Sequence, residues 1–268
     1  AHAKGELAQE LPASGTLIVN ADDPRTDAMP KKLAPHVTHV VRFGREASAD
    51  VRATNLVPNS GGWMFDLHIG STLRNIDLRL PGSAGVSNFL AAAATAHALE
   101  VSIDEIAGKA TQLEPLPNRG AIHRTGSITL MDESYNASPL AVHIALETFA
   151  ALPTAGRRIA VLGDMLEMGD WTDQVHRDAG RKAAEIDVDF LLVVGACAGL
   201  MAEGAIATGM TQETIHAFDT AEEAASWLAP RLQDGDTVLV KGSRAIHLER
   251  VAQAVTTTPV GSNGVVEN

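Results

Sequence analysis

Apolar positions along this chain change their rhythm twice. Short apolar runs come first, at Thr16–Asn20 and His39–Phe43, after residues 1–11 that read as the end of a helix. The exit Asn20-Ala-Asp-Asp-Pro24 predicts a turn whose side chains cap the helix behind it. From Asp50 to Leu80 the pattern lengthens into alternating segments, Val51–Val57, Trp63–Ile69 and Leu73–Leu80, with Gly61-Gly62 and Gly70-Ser71 between them. Alternation broken by glycine turns predicts an antiparallel meander. An Ala-rich helix is expected over Val86–Leu99. Ser102 opens a second, with Asp104 and Glu105 in its first turn.

Beyond the stiff Pro115-Leu-Pro117 the second change occurs. Strands are predicted at 128–132, 158–163, 189–195, 214–218 and 236–241. Helical patterns lie between them at 139–151, 172–185, 198–208 and 220–232, with a last one at 245–255. Strict β/α alternation at this spacing predicts a doubly wound, mostly parallel sheet. Residues 258–268 carry no periodicity and read as a flexible tail.

Composition narrows the function classes. Hydrophobic residues make up 45% of the 268 residues and aromatics only 4%, so Ala, Val and Leu must build the cores. A formal charge of −12 argues against a nucleic-acid or membrane-surface role. No apolar run reaches membrane-spanning length and no signal peptide pattern opens the chain, so a cytoplasmic protein without membrane insertion is expected. The lone Cys197 sits in an apolar stretch and reads as a small buried thiol.

Chemistry concentrates in Leu130-Met-Asp-Glu-Ser-Tyr-Asn-Ala-Ser-Pro139, which reads as a strand end, an elbow and a helix start, with Ser138 as N-cap and Pro139 in the first turn. In an open α/β sheet, ligands bind beyond the carboxyl ends of the strands. Asp132 and Glu133 alternate across the strand, so only one is expected to meet a ligand, either ribose hydroxyls or Mg²⁺; a solvated capping acid is the bland alternative. Asn136 supplies a donor and an acceptor, or an Asx turn that stabilises the elbow. Lys241-Gly-Ser-Arg244 is expected to end a buried strand and open the last helix, so that two cations, a hydroxyl and free helix N–H groups form a carboxylate-sized anion site. Asp164 lies just past a strand end, and His176 reads as a packing or capping residue within a helix.

Several of these blocks resemble the Mur ligase family. Asp132-Glu-Ser-Tyr-Asn-Ala-Ser-Pro139 is similar to its Asp-Asp-Ser-Tyr-Asn-Ala-Asn-Pro signature. Val161-Leu-Gly-Asp-Met-Leu-Glu-Met-Gly169, His176 and Leu239-Val-Lys-Gly-Ser-Arg244 follow in the family's order. Ala3-Lys-Gly-Glu6 and Val19-Asn-Ala-Asp22 resemble its central domain, and the likeness runs to about residue 255. It implies a partial central, ATP-binding domain over 1–119 and a C-terminal Rossmann-like ligase domain over 120–257. The implied cofactors are ATP and Mg²⁺, and the implied small-molecule substrates are UDP-MurNAc-tripeptide and D-Ala-D-Ala, joined through an acyl phosphate by a monomeric enzyme. By the same resemblance Asp132, Tyr135, Asn136, Asn88 and Arg119 (in Leu116-Pro-Asn-Arg-Gly120, like a Pro-Gly-Arg hinge) meet nucleotide, and Arg119, reaching the transferring phosphoryl group, and Lys4 are catalytic. Lys241, Ser243, Arg244 and Asp164 meet D-Ala-D-Ala, and Lys4, carbamylated in some relatives, bridges Mg²⁺.

Two departures qualify the likeness. The family's Gly-Arg-His-Asn-x-x-Asn block stands here as Gly82-Ser-Ala-Gly-Val-Ser-Asn88, keeping Asn88 but not the Arg, His and first Asn. No Gly-x-x-x-x-Gly-Lys-Ser/Thr occurs, so the chain alone is expected neither to hydrolyse ATP nor to ligate. A truncated or degenerate binding module is therefore the alternative from another class. A folylpolyglutamate synthase of the same superfamily is disfavoured by the Asp-Glu-Ser-Tyr-Asn and Lys-Gly-Ser-Arg blocks.

Overall fold

The structure, a computed structural model, describes residues 2–59 and 61–258, with side chains from Gly5 onward. The expected tail from 259 lies outside the described residues. The chain divides between Glu114 and Pro115 into two compact units.

In the first unit, α1 (His2–Gln9), β1 (Thr16–Asn20), the short α2 (Pro24–Asp27) and α3 (Met29–Leu33), and β2 (His39–Gly44) precede three long strands. These are β3 (Val51–Asn59), β4 (Gly62–Ile69) and β5 (Thr72–Leu78), followed by α4 (Gly82–Ala98) and α5 (Ile103–Ala110). The sheet order is β1-β2-β3-β4-β5, parallel from β1 to β3 and antiparallel through the meander. Gly70, at φ +58, makes the tight β4–β5 turn that a side chain would strain. One meander face buries Phe65, Leu67, Ile76 and Leu78 against Val86, Phe89, Leu90 and Ala94 of α4. Asp23 caps α2 by accepting from Arg25 N, as the Asn20–Pro24 turn predicts. Helix α4 begins four residues before the expected Val86, because Pro81 in extended conformation serves as its N-cap. Gly82, at φ +71, opens the helix and Gly85 lies within it, buried.

The second unit carries β6 (Ala121–Thr125), β7 (Ile128–Glu133), α6 (Pro139–Ala150), β8 (Arg158–Gly163), α7 (Thr172–Glu185), β9 (Phe190–Val194) and α8 (Ala198–Ala207). It continues with β10 (Ile215–Phe218), α9 (Ala221–Leu228), β11 (Thr237–Lys241) and α10 (Glu249–Thr257). Strand order is β10-β9-β8-β11-β7-β6, all parallel except β6, which pairs antiparallel with β7. Two apolar layers sandwich the sheet: Leu146 and Phe149 of α6 with Ala183 and Met201 on one face, Val251 and Val255 of α10 with Leu228 on the other. This is the doubly wound arrangement expected, with β6 added. Helices α7 and α8 pack closely because Gly180 and Gly204 lack side chains: a Cβ at either would meet the backbone oxygen of Met201 or Arg177 at 1.8 or 2.0 Å.

Adjacent parallel strands β7 and β11 send their following helices to opposite faces, α6 to one layer and α10 to the other. That divergence opens a crevice at the carboxyl ends of the two strands, the general ligand position of open α/β sheets.

Candidate functional site at the carboxyl edge of the second unit

Strand β7 delivers Asp132 and Glu133 to that crevice. Asp132 is buried, and its Oδ1 accepts from Ser134 N at 3.0 Å. Its carbonyl accepts from Gly120 N at 2.9 Å, and Tyr135 N donates to Asn118 O at 3.1 Å. These two bonds clip the Asn118–Gly120 turn onto the elbow. Asn118 (φ +61) and Gly120 (φ +79) are both left-handed, so asparagine serves at the position where the family has glycine. Arg119, between them, is exposed, and its guanidinium carbon lies 3.9 Å from the centre of the Tyr135 ring. The Arg244 guanidinium approaches the same ring at 5.7 Å. Asn136 Oδ1 accepts from Ala137 N at 2.8 Å, which braces the elbow. Ser138 is the N-cap of α6 in position, with Pro139 following, but its side chain makes no capping bond.

Lys241, at the end of β11, is 2% exposed. Its ammonium donates to Glu133 Oε2 at 3.3 Å and to Asn136 O at 3.0 Å, spending its charge inside the protein. An unpaired ammonium could not be buried at acceptable cost, so the elbow and the strand end are fixed to each other. Glu133, set aside from sequence in favour of Asp132, is the acid that meets this cation. The signal for it is the β7–β11 register, which sets Lys241 beside Glu133.

The expectation that Lys241–Arg244 opens the last helix is corrected. Arg244–Ile246 form one 3₁₀ turn, His247 turns left-handed at φ +57, and α10 starts at Glu249. Free N–H groups of that helix therefore do not border Lys241. Ser243 N donates to Asp164 O, and Ser243 Oγ accepts from Leu166 N, both at 3.0 Å. These bonds join the loops leaving β11 and β8. Arg244 is exposed, with Glu249 Oε1 at the outer ion-pair distance of 4.0 Å.

Asp164 lies past β8 as expected, but both its oxygens are engaged. They accept from Ala196 N (2.9 Å) and Cys197 N (3.0 Å). Gly195, at φ +115, leaves the carboxylate its room. His176 is fully buried. Its Nε2 accepts from Met165 N at 2.9 Å, which places the ring proton on Nδ1, donated to Thr172 O at 2.6 Å. It is a packing and capping residue, as read from sequence. Cys197 is half-buried rather than fully buried. Burial first, then the nearby Asp164 and Asp173 carboxylates, push its thiol up, the opposite of nucleophile activation.

Ligand atoms of Asp164, His176 and Cys197 lie within 4.8 Å of one another. The single lone pair of His176 Nε2 is taken by Met165 and both Asp164 oxygens by backbone N–H groups, so the trio fits no Mg²⁺, which prefers open oxygen ligands. Exposed guanidiniums at Arg119 and Arg244, by contrast, suit the oxygens of phosphate and carboxylate. Of the two remaining expected site residues, Asn88 is exposed on α4 of the first unit, and Lys4 falls in α1 with its side chain outside the described residues.

Fold and edge together define a two-unit α/β chain whose second unit presents two exposed guanidiniums, Arg119 and Arg244, at a topological switch point. Residues 1–96 match the Mur ligase middle domain and residues 118–244 the Mur ligase glutamate ligase domain. The chain belongs to the Mur ligase family. It is 34% identical to the UDP-N-acetylmuramoyl-tripeptide–D-alanyl-D-alanine ligase of Mycobacterium tuberculosis H37Rv, covering 95% of this chain and 53% of that protein. Against the same-named ligase of Escherichia coli K12 it is 32% identical, covering 95% and 55%. A crystal structure of MurF from Acinetobacter baumannii superposes with a TM-score of 0.81 at 27% identity, covering 95% of this chain and 55% of that one. MurF from Thermotoga maritima in complex with ADP shares the fold, with a TM-score of 0.79 at 23% identity, covering 96% and 56%. The chain thus spans about half the length of the relatives it matches. Among the described residues no helix is long and apolar enough to cross a membrane.

Proposed function

We propose that the chain is the middle and C-terminal part of an ATP-dependent ligase of peptidoglycan precursor synthesis, one that joins D-Ala-D-Ala to UDP-MurNAc-tripeptide. The observation that carries this reading is the meeting of Arg119, Tyr135, Ser243 and Arg244 at the β7/β11 switch point, next to an elbow with the family's signature. ATP supplies the phosphoryl group that activates the tripeptide carboxylate. Arg119, planar and rich in donors, neutralises charge on that phosphoryl group. Arg244 takes the dipeptide carboxylate. Ser243 Oγ accepts from Leu166 N and so keeps its own proton for the same carboxylate.

Lys241 and Asp164 serve the dipeptide indirectly, the first by fixing the elbow, the second by holding Ser243 N through its carbonyl. Asp132, Asn136 and Asn88 remain the proposed nucleotide contacts and Lys4, if carbamylated, the Mg²⁺ bridge. A cytoplasmic monomer acting on small molecules follows from the same reading. With no phosphate-loop pattern in its sequence, this chain alone is expected to bind D-Ala-D-Ala without ligating it.

A second reading, a non-catalytic binding module, is favoured by one observation. A Cβ at Gly85 would lie 2.8 Å from Leu80 Cβ and 2.9 Å from Leu80 O, so the side chain missing from the Gly82–Asn88 block could not be restored without a shift. Calorimetry with D-Ala-D-Ala and with ATP separates the two. The ligase reading expects saturable heat with both ligands, and the module reading expects it with the dipeptide alone. No heat with the dipeptide would sink both.

A further inference from the structure

Two like charges approach one ring at the carboxyl edge. Arg119 stacks over the Tyr135 ring at 3.9 Å and Arg244 comes within 5.7 Å of the same centroid. Backbone contacts set where each of them starts. Arg119 is projected between two left-handed residues, with its N–H on Leu116 O. Tyr135 is pinned beside it through Asn118 O. Arg244 follows Ser243, which is anchored on Asp164 O and Leu166 N. In a chain of net charge −12, no carboxylate among the described residues pairs with Arg119, and Arg244 has only Glu249 at 4.0 Å. Exposed arginines in an acidic protein would ordinarily find carboxylates. Holding both guanidiniums over one ring instead leaves N–H donors available to a ligand.

We infer that Tyr135 is a positioning residue that gathers Arg119 and Arg244 into a single clamp for one phosphoryl or acyl-phosphate oxyanion. The phenyl face offsets part of the repulsion between the two guanidiniums, and an anion bound between them offsets the rest. Arg244, with five N–H donors, closes on the phosphoryl oxyanion with some of them and keeps the rest for the dipeptide carboxylate, so the phosphoryl-side and dipeptide-side arginines share one support. Anion binding draws both in together, which brings the two reactants to the same point. The ring, not the hydroxyl, carries this role. The inference rests on the reading of this edge as the site of an activated acid.

Tyr135 is the chain's only tyrosine, so its ring resonances report directly on the clamp. The test is an NMR titration of the 268-residue chain with inorganic phosphate at low salt, following the arginine Nε–H signals and the Tyr135 ring. The expected result is that Arg119, Arg244 and Tyr135 shift with one common Kd. Tyr135→Phe should keep that Kd, and Tyr135→Leu should weaken it roughly fivefold, the scale of a lost cation–π support. Combining Tyr135→Leu with Arg119→Gln should weaken it by less than the product of the two single effects, because only the Arg244 support is then left to lose. Tyr135 is 41% exposed, so the leucine variant is expected to melt like the parent. Should it melt lower, Tyr135→Trp decides: the parent Kd supports the clamp, and a Kd as weak as that of Tyr135→Leu overturns it.

An unchanged Kd in Tyr135→Leu, separate Kd values for the two arginines, or a phenylalanine variant as weak as the leucine one would each overturn the clamp. If the phosphate pattern holds but D-Ala-D-Ala gives no heat, the ligase reading falls and the clamp stands. If the dipeptide binds while Tyr135→Leu leaves phosphate untouched, only the clamp falls.

Discussion

Lys241 Nζ lies 3.3 Å from Glu133 Oε2 although the two residues are 108 positions apart in sequence. Their burial is unequal: the lysine side chain is 2% exposed and the glutamate 26%. Removing the carboxylate leaves a buried ammonium with only Asn136 O, whereas removing the ammonium leaves an acid that water can reach. Glu133→Ala is therefore expected to destabilise by about 3 kcal/mol and Lys241→Met by roughly half that, since a stranded buried charge is the costlier defect. Urea unfolding checks the order, and the reverse order would contradict the asymmetry.

This pair also marks how far the sequence could be read. Strands β1, β2, β7, β8 and β11 follow directly from apolar runs of the right length between turn residues, and helices α6 and α7 from apolar positions at helical spacing between them. The elbow at 132–139 is legible because Ser138-Pro139 punctuates it. Strand β6 is not, since Ala121–Thr125 lies at the sheet edge with no residue fully buried, and a strand half in water carries little apolar pattern. The pairing of Glu133 with Lys241 depends on parallel register between distant strands, which no local spacing encodes. His247, left-handed without being glycine, hid the late start of α10.

Helix packing in the second unit gives a paired test. Gly180→Ala would drive a Cβ into Met201 O, so about 3 kcal/mol of destabilisation is expected, the upper range for overpacking. Gly199→Ala, on exposed α8 surface with nothing within 4 Å of its Cβ, should be neutral or stabilise by up to about 0.5 kcal/mol through helix propensity. Thermal melts of the two variants should move apart, and equal shifts would count against the close α7–α8 contact.

His216 packs against Trp227 with ring centres 4.1 Å apart. Burial first, then the nearby Arg231 charge, hold its imidazole below the ordinary value of 6.5. A histidine with a depressed folded pKa favours the unfolded chain once that chain can protonate. Its stability contribution is thus intact above about pH 6.5 and is lost as pH falls from there through the folded value. Melting temperatures of the parent and of His216→Gln, compared between pH 7.5 and pH 5.5 (roughly a unit either side of the unfolded histidine value), should show the smaller acid loss in the variant. An equal or larger loss would mean His216 is not the strained group.

Asp164 accepts two backbone N–H bonds with its two oxygens. Asp164→Asn retains one acceptor and points an amide N–H₂ at a donor. A cost of about 2 kcal/mol is expected, in the range for a buried donor left unpaired. Weaker D-Ala-D-Ala binding should accompany it, because losing one of the side-chain bonds to Ala196 and Cys197 N–H shifts the loop whose Asp164 carbonyl holds Ser243 N. Denaturation with calorimetry on the same sample reads both, and a stable variant with full binding would remove Asp164 from the site.

The central claim is that the carboxyl ends of β7 and β11 form the site for the incoming amino substrate. Backbone amide shifts of the chain titrated with D-Ala-D-Ala test it most directly. Shifts should cluster at 118–120, 132–137, 164–166 and 241–246 and vanish in Arg244→Ala. Shifts gathered instead at the opposite end of the sheet, around Arg124, Thr154 and Thr237, or persisting in Arg244→Ala, would contradict it.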